Sequence, residues 1–176
     1  MDKAKHNFGR YLQDGLIKKE RNEAARQMYI KNAELSLQFA DESMSSSLRP
    51  YLWIVVISYY SMFYIANAVL LQLGYKTGSK MVHKVTSDAL IVLVKDRIRK
   101  GLLEEYEDMK EDALEIASVK SEELMSFYSM ELAKRSRFQY SMAETIQEMK
   151  ARTSLKRAKE FIQEMKKLLP EFNTPR

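Results

Sequence analysis

Apolar residues recur along most of the chain at three- and four-residue intervals, the spacing of one face of a helix. The first such run predicts a helix from about Asp14 to about Ser43, ending in the polar loop DESMSSSLRP. Ile17, Ala24, Met28, Leu35 and Phe39 fall on one face of it, and Ile30, Ala33, Leu37 and Ala40 fall nearly opposite. Two apolar stripes predict a helix covered on both sides, by its own core and by another subunit.

Pro50 sets up a second helix near its first turn, where a missing N–H does no harm, and Gly74 is the expected stop. The stretch GYKTGSK reads as a helix-to-helix turn. A helix from about Val82 to Arg99 follows, with Ser79 as its candidate cap, and Gly101 breaks the chain again. Leu102–Val119 carries Leu103, Tyr106, Leu114 and Ile116 and reads as a shorter helix. Ser121, with Glu122 and Glu123 in the first turn, signals a new start. That helix would present Leu124, Tyr128, Arg135, Phe138 and Met142 on one side. The last helix runs from about Ser154 to Leu169, with Leu155, Ala158, Ile162, Met165 and Leu169 in phase, and Pro170 ends it. No segment alternates like a half-buried strand, and no internal repeat is found. The expectation is an all-α, up-and-down helical bundle of five to six helices in one domain, residues 1–176. Residues 1–13 are expected to be mobile and 170–176 to form a tail.

Tyr51 to Tyr75 contains no charged residue in twenty-five positions, long enough to cross a bilayer. Its content argues otherwise. Ser58, Tyr59, Tyr60, Ser61, Tyr64, Asn67 and Gln72 lie within it, whereas tyrosine favours membrane edges and a buried amide needs a partner. The other helices are amphipathic, and each needs an apolar surface to pack on. The stretch is therefore expected at the centre of a bundle.

The chain has 176 residues, 45% of them hydrophobic and 30% charged, and no cysteine. Disulfides, thiolate metal sites and cysteine nucleophiles are excluded. With two histidines, a transition-metal site is not expected, and no cofactor motif is present. GYKTGSK fails the phosphate-loop pattern, since three residues separate Gly74 from Gly78 and Ser79 precedes Lys80. The first twenty residues lack the apolar core of a signal peptide, so a cytoplasmic protein is expected, with no membrane partner. Net charge is +5. Glu104 to Glu123 carries nine acidic and two basic residues, and Lys134 to Arg176 eleven basic and five acidic. A basic C-terminal third either attracts nucleic acid or an acidic protein, or is a solvated helix surface.

Three segments together resemble HEPN domains (higher eukaryotes and prokaryotes nucleotide-binding). SYYSMFYIANAVLLQLGYKTGSKMVHKV, Ser58 to Val85, looks like the family's second helix and following loop, with His83 in the place of its loop histidine. ELAKRSRFQYSM resembles the family's Arg-x-x-Ala-Asp-Tyr element, with Arg135 as the arginine and Tyr140 as the tyrosine. TSLKRAKEFIQEMKKLL resembles the closing helix, through Ala158 and Phe161. The likeness spans about Leu16 to Leu169. It departs from the ribonuclease members of the family, which carry histidine four to six residues after arginine. No histidine lies there after Arg135 or Arg137, and Phe138-Gln139 replaces Ala-Asp. Residues 91–119 look longer than in compact members, so an inserted helix is expected there.

The resemblance implies a nucleotide- or RNA-binding or protein-interaction module, dimeric, and a partner of a small nucleotidyltransferase in a toxin–antitoxin pair. The alternative is a divergent, metal-independent ribonuclease. Arg135 and Arg137 are the phosphate-contact candidates, since a guanidinium matches phosphate oxygens with forked donors; a structural ion pair is the competing role. Catalytic candidates are Arg135, Tyr140 and His83. Tyr140, with a reference pKa near 10, does not replace histidine as a base at neutral pH. In one continuous helix it would stand about 140° from Arg135. His83 is either a partner for Arg135 across space or a capping or surface residue.

Overall fold

Tyr51–Gln72 forms one helix, and sixteen of its twenty-two residues are buried. Its composition leaves it no polar face, so the rest of the chain has to surround it. The computed structural model describes residues 2–126 and 144–169. In order these form α1 (Asp2–Gln13), β1 (Ile17–Lys19), α2 (Glu23–Met44), α3 (Tyr51–Gln72), β2 (Tyr75–Thr77), α4 (Val82–Leu93), a 3-10 turn at Lys95–Arg97, α5 (Leu102–Ser126) and α6 (Glu144–Lys166). The architecture is an all-α helical bundle. α3 packs against α2, α6, α5 and α4. Long and apolar enough to cross a membrane by length alone, it is covered by the chain itself.

The main core gathers Tyr59, Met62, Ile65, Ala66, Val69 and Leu70 of α3 against side chains from every other helix. A smaller cluster at the start of α3 joins Tyr51, Ile54 and Val55 to Ala40 of α2 and Ala151 and Leu155 of α6. Burying each large aliphatic side chain contributes about 1.5–3 kcal/mol.

One polar junction sits inside this core. Asn67 of α3 donates from Nδ2 to the Phe63 carbonyl at 2.9 Å, while its Oδ1 accepts from Thr77 Oγ1 of β2 at 2.7 Å. Thr86 Oγ1 of α4 lies 3.4 Å from Nδ2 and 3.5 Å from Oδ1. The amide that counted against a membrane span thus ties three elements together, and its polar atoms are satisfied within protein.

Several expectations are corrected. Residues 2–13, expected to be mobile, form α1, which buries Ala4, Phe8 and Tyr11. The expected Asp14–Ser43 helix starts only at Glu23, behind the Asn22 cap, whose side chain accepts from the Ala25 N–H at 2.9 Å. Ile17, placed on that helix from sequence, is a fully buried strand residue instead. The turn GYKTGSK contains a second strand, and Ile17, Lys18 and Lys19 pair antiparallel with Thr77, Lys76 and Tyr75. Gly78 sits where the two strands meet: its N–H bonds the Leu16 carbonyl at 2.8 Å, and a Cβ there would stand 3.3 Å from that oxygen. Ser79 caps nothing; α4 begins after Met81, held at φ 51°. The expected Val82–Arg99 helix ends at Leu93. Gly101, at φ 87°, breaks the chain as expected. α5 then runs unbroken past Val119 and Ser121 to Ser126, so no helix starts at Ser121. Within 91–119, where an inserted helix is expected, Leu102, Leu103, Tyr106, Met109 and Ala113 of α5 belong to the main core. The closing helix, expected from about Ser154, is already formed at Glu144. The tail 170–176 lies outside the described residues.

Asn67→Ala should lower stability by about 2–4 kcal/mol, because it strands the Thr77 hydroxyl and opens a small cavity. Urea denaturation followed by circular dichroism checks this.

Candidate functional site

The aromatic run of α3 continues across to α4 and α5. Tyr59 is fully buried, and its hydroxyl lies 2.7 Å from His83 Nδ1 in the first turn of α4. The imidazole is also lined by Tyr60 and Phe63, with ring centroids 5.8 and 4.7 Å away. On its far side Tyr59 meets Tyr106 of α5, which stacks on Phe161 of α6 at 5.2 Å. His83 is therefore a half-buried helix residue in an aromatic cage, not a loop histidine.

Burial pushes the Tyr59 hydroxyl far above the ordinary tyrosine range, so it stays protonated. Burial, and then the Lys110 ammonium, hold His83 below its usual value. Lys110 of α5 pairs with Glu107 and donates to Ser87 Oγ at 3.1 Å, one turn beyond His83. Ser87 Oγ in turn donates to the His83 carbonyl at 3.0 Å. The hydroxyls of Tyr59 and Tyr106 perturb one another, yet their contact falls short of hydrogen-bond geometry. The Tyr59 proton accordingly goes to Nδ1. That assigns the tautomer: His83 is neutral at pH 7 and carries its proton on Nε2.

Of the residues singled out in the sequence, only His83 is placed. Arg135, Arg137 and Tyr140 lie outside the described residues. Sequence reasoning missed Tyr59 as the partner of His83. Its signal was the Tyr-Tyr pair beside Phe63, whose spacing brings Tyr59 and Phe63 onto one helix face. Among the described residues no group of three His, Asp or Glu side chains converges as a metal site would require.

The family model of the HEPN domain matches residues 26–168. The chain belongs to the HEPN domain family. The match takes in α3, α4, α5 and α6 and therefore the whole Tyr59–His83 centre, while α1 and β1 precede it. No curated protein and no solved structure matches the chain. HEPN domains are in general nucleotide-binding or ribonuclease-like, and that class is the level at which membership describes the function.

His83 should make folding weaker in acid. Its folded pKa is depressed, so the unfolded chain takes up the proton first as pH falls through about 6.5. Its contribution is complete above that pH and declines below it until the folded form also protonates. Lys110→Met should move the His83 titration upward, still below the ordinary value because burial remains. Proton NMR of the imidazole C–H signals reads both.

Proposed function

We propose that this HEPN protein is a non-enzymatic RNA- or nucleotide-binding and interaction module that works as a cytoplasmic homodimer. The observation that carries the reading is the departure at the ribonuclease element. No histidine follows Arg135 or Arg137 at four to six residues, within a chain matched to the family over 26–168. His83 does not make up for it by itself. One of its nitrogens is taken by Tyr59, its charge is suppressed, and Tyr59 is the sole hydrogen-bond partner of its ring among the described residues. A neutral imidazole whose ring is paired only with a protonated tyrosine lacks the charge stabilisation that phosphodiester cleavage demands. Arg135 and Arg137 remain the proposed phosphate contacts.

Homodimerisation is supported by α2. Ile30, Ala33 and Ala40 turn into the core, while Met28, Leu35 and Phe39 on the other stripe are 53%, 52% and 57% exposed. Large apolar side chains in a row at helical spacing mark an association surface. A small nucleotidyltransferase, as in a toxin–antitoxin pair, is the proposed second partner, and its reading frame is sought beside this gene.

Purified protein should leave RNA intact with or without a chelator. Metal-independent cleavage that disappears in Arg135→Ala would replace this reading by the divergent ribonuclease. In sedimentation at micromolar concentration the wild type should run as a dimer and Leu35→Glu/Phe39→Glu as a species near the chain mass of 20.6 kDa. A wild type already at that mass would remove the dimer.

A further inference from the structure

The charge of the folded protein is not where the linear sequence puts it. Each of the seven cations from Lys150 to Lys167 lies in an ion pair. Several of these cross between helices: Lys150 to Asp112 and Lys159 to Asp41, each at 2.6 Å, Lys166 to Glu34 at 2.6 Å, and Arg157 to Asp108 at 3.6 Å. The basic α6 folds onto the acidic α5 and α2 and is largely neutralised there.

The uncompensated charge lies elsewhere. Residues 2–21 and 75–100 hold thirteen basic and five acidic side chains, and the remainder of the chain holds sixteen and nineteen. These two segments are α1, the antiparallel β1–β2 pair and α4 with its 3-10 turn, and they are contiguous in the fold. α1 lies along α4, fastened by Asp88, whose Oδ2 accepts from Asn7 Nδ2 at 3.0 Å and from the Tyr11 hydroxyl at 2.8 Å. Burial, followed by Asp88, pushes that hydroxyl up to about 12, so the clasp holds throughout the physiological range. Lys3 and Arg10 stand one turn to either side of Asn7, and Lys84 one turn before Asp88. β1 adds exposed Lys18 and Lys19, rooted by buried Ile17. None of the side chains of Lys3, Arg10, Lys18, Lys19 and Lys84 makes a hydrogen bond or an ion pair within 4.0 Å among the described residues.

We propose that the surface formed by α1, the β1–β2 strand pair and α4 binds the phosphate backbone of RNA. This rests on the RNA-binding reading above and adds where the strand runs. Chemistry separates RNA from an acidic protein as the occupant. Protein interfaces have an apolar, often aromatic centre and are poor in lysine. Of the large apolar side chains exposed among the described residues, only Met81 lies on this surface; the others sit on α2, on the α2–α3 connection, at the start of α3 and on α6. A lysine-rich surface without an apolar centre suits a polyphosphate, where binding comes from counterion release. Half of the surface, α1 and β1, precedes the family match, so membership alone does not predict it.

The test compares two triple variants of equal charge change, Lys3→Gln/Lys19→Gln/Lys84→Gln and Lys150→Gln/Lys159→Gln/Lys166→Gln. Five of the six lysines are exposed and Lys150 is half-buried, and circular dichroism confirms folding. The probe is a fluorescent single-stranded RNA of about 20 nucleotides, titrated across salt concentrations. The first triple should weaken binding about tenfold at low salt and flatten the log K against log salt slope by about 2, given about 0.7 for each phosphate no longer neutralised. The second should stay within about twofold of wild type. Equal weakening in both, or more in the second, would overturn this surface and leave RNA binding standing. Wild type that fails to bind even at low salt would overturn both. Polyglutamate that competes as well as RNA at matched charge would transfer the surface to an acidic protein and overturn the assignment.

Discussion

The absence of any polar face on α3 governs the rest of the structure. A helix apolar on all sides cannot rest at a surface, so it must be enclosed. Enclosure requires several amphipathic helices, each giving up one stripe, and α2, α4, α5 and α6 supply them. It also favours a partner inside protein for the buried polar atoms along α3, and of the buried side-chain polar atoms on this helix only the Ser58 hydroxyl goes without a hydrogen bond among the described residues. Ser61 Oγ turns back to the Ser58 carbonyl at 2.7 Å, Asn67 recruits two threonines, and Tyr59 recruits His83. The fold and the candidate site therefore share one cause. His83 is held where it is because a buried tyrosine hydroxyl needed an acceptor.

The same enclosure determines the electrostatics. To cover α3, acidic α5 and basic α6 pack on its sides and meet each other along their flanks. Exposed pairs of this kind contribute little to stability, about 0–1 kcal/mol each. Their larger effect is on the long-range field, because they cancel most of the charge that the C-terminal third carries in sequence. Linear charge blocks are thus a poor guide to a folded surface whenever blocks of opposite sign lie on neighbouring helices.

What the sequence revealed follows from how local each signal is. α3 was legible from its lack of charge, with Gly74 just past its end, and the break at Gly101 from a residue that tolerates φ 87°. α1 was missed although Ala4, Phe8 and Tyr11 sit at helical spacing ahead of Gly15; the charged residues between them hid a buried face only three residues wide. Strands of three residues are too short to show alternation, so β1 and β2 left no trace in the pattern. The start signal at Ser121 failed because a serine among glutamates is also tolerated inside a helix. With no Gly or Pro between Leu102 and Ser126, nothing stops α5 there. His83 was taken for a loop residue through the resemblance alone, although the helix expected from about Val82 already includes it and α4 does start there.

The Tyr59–His83 bond also restricts the chemistry open to the site. With Nδ1 accepting from a hydroxyl that burial keeps protonated, the imidazole presents one N–H and no lone pair through its other nitrogen. To act as a base at Nε2 it would first have to lose the Nε2 proton and take one at Nδ1, and the Tyr59 hydroxyl that would supply it resists ionisation. Protonating it instead brings a cation into an aromatic cage already under the field of Lys110. Either change costs more than in water. His83 is built to donate a neutral hydrogen bond and to hold α4 against α3. Strong binding of phosphate needs permanent positive charge, which guanidinium and ammonium groups supply and this imidazole does not.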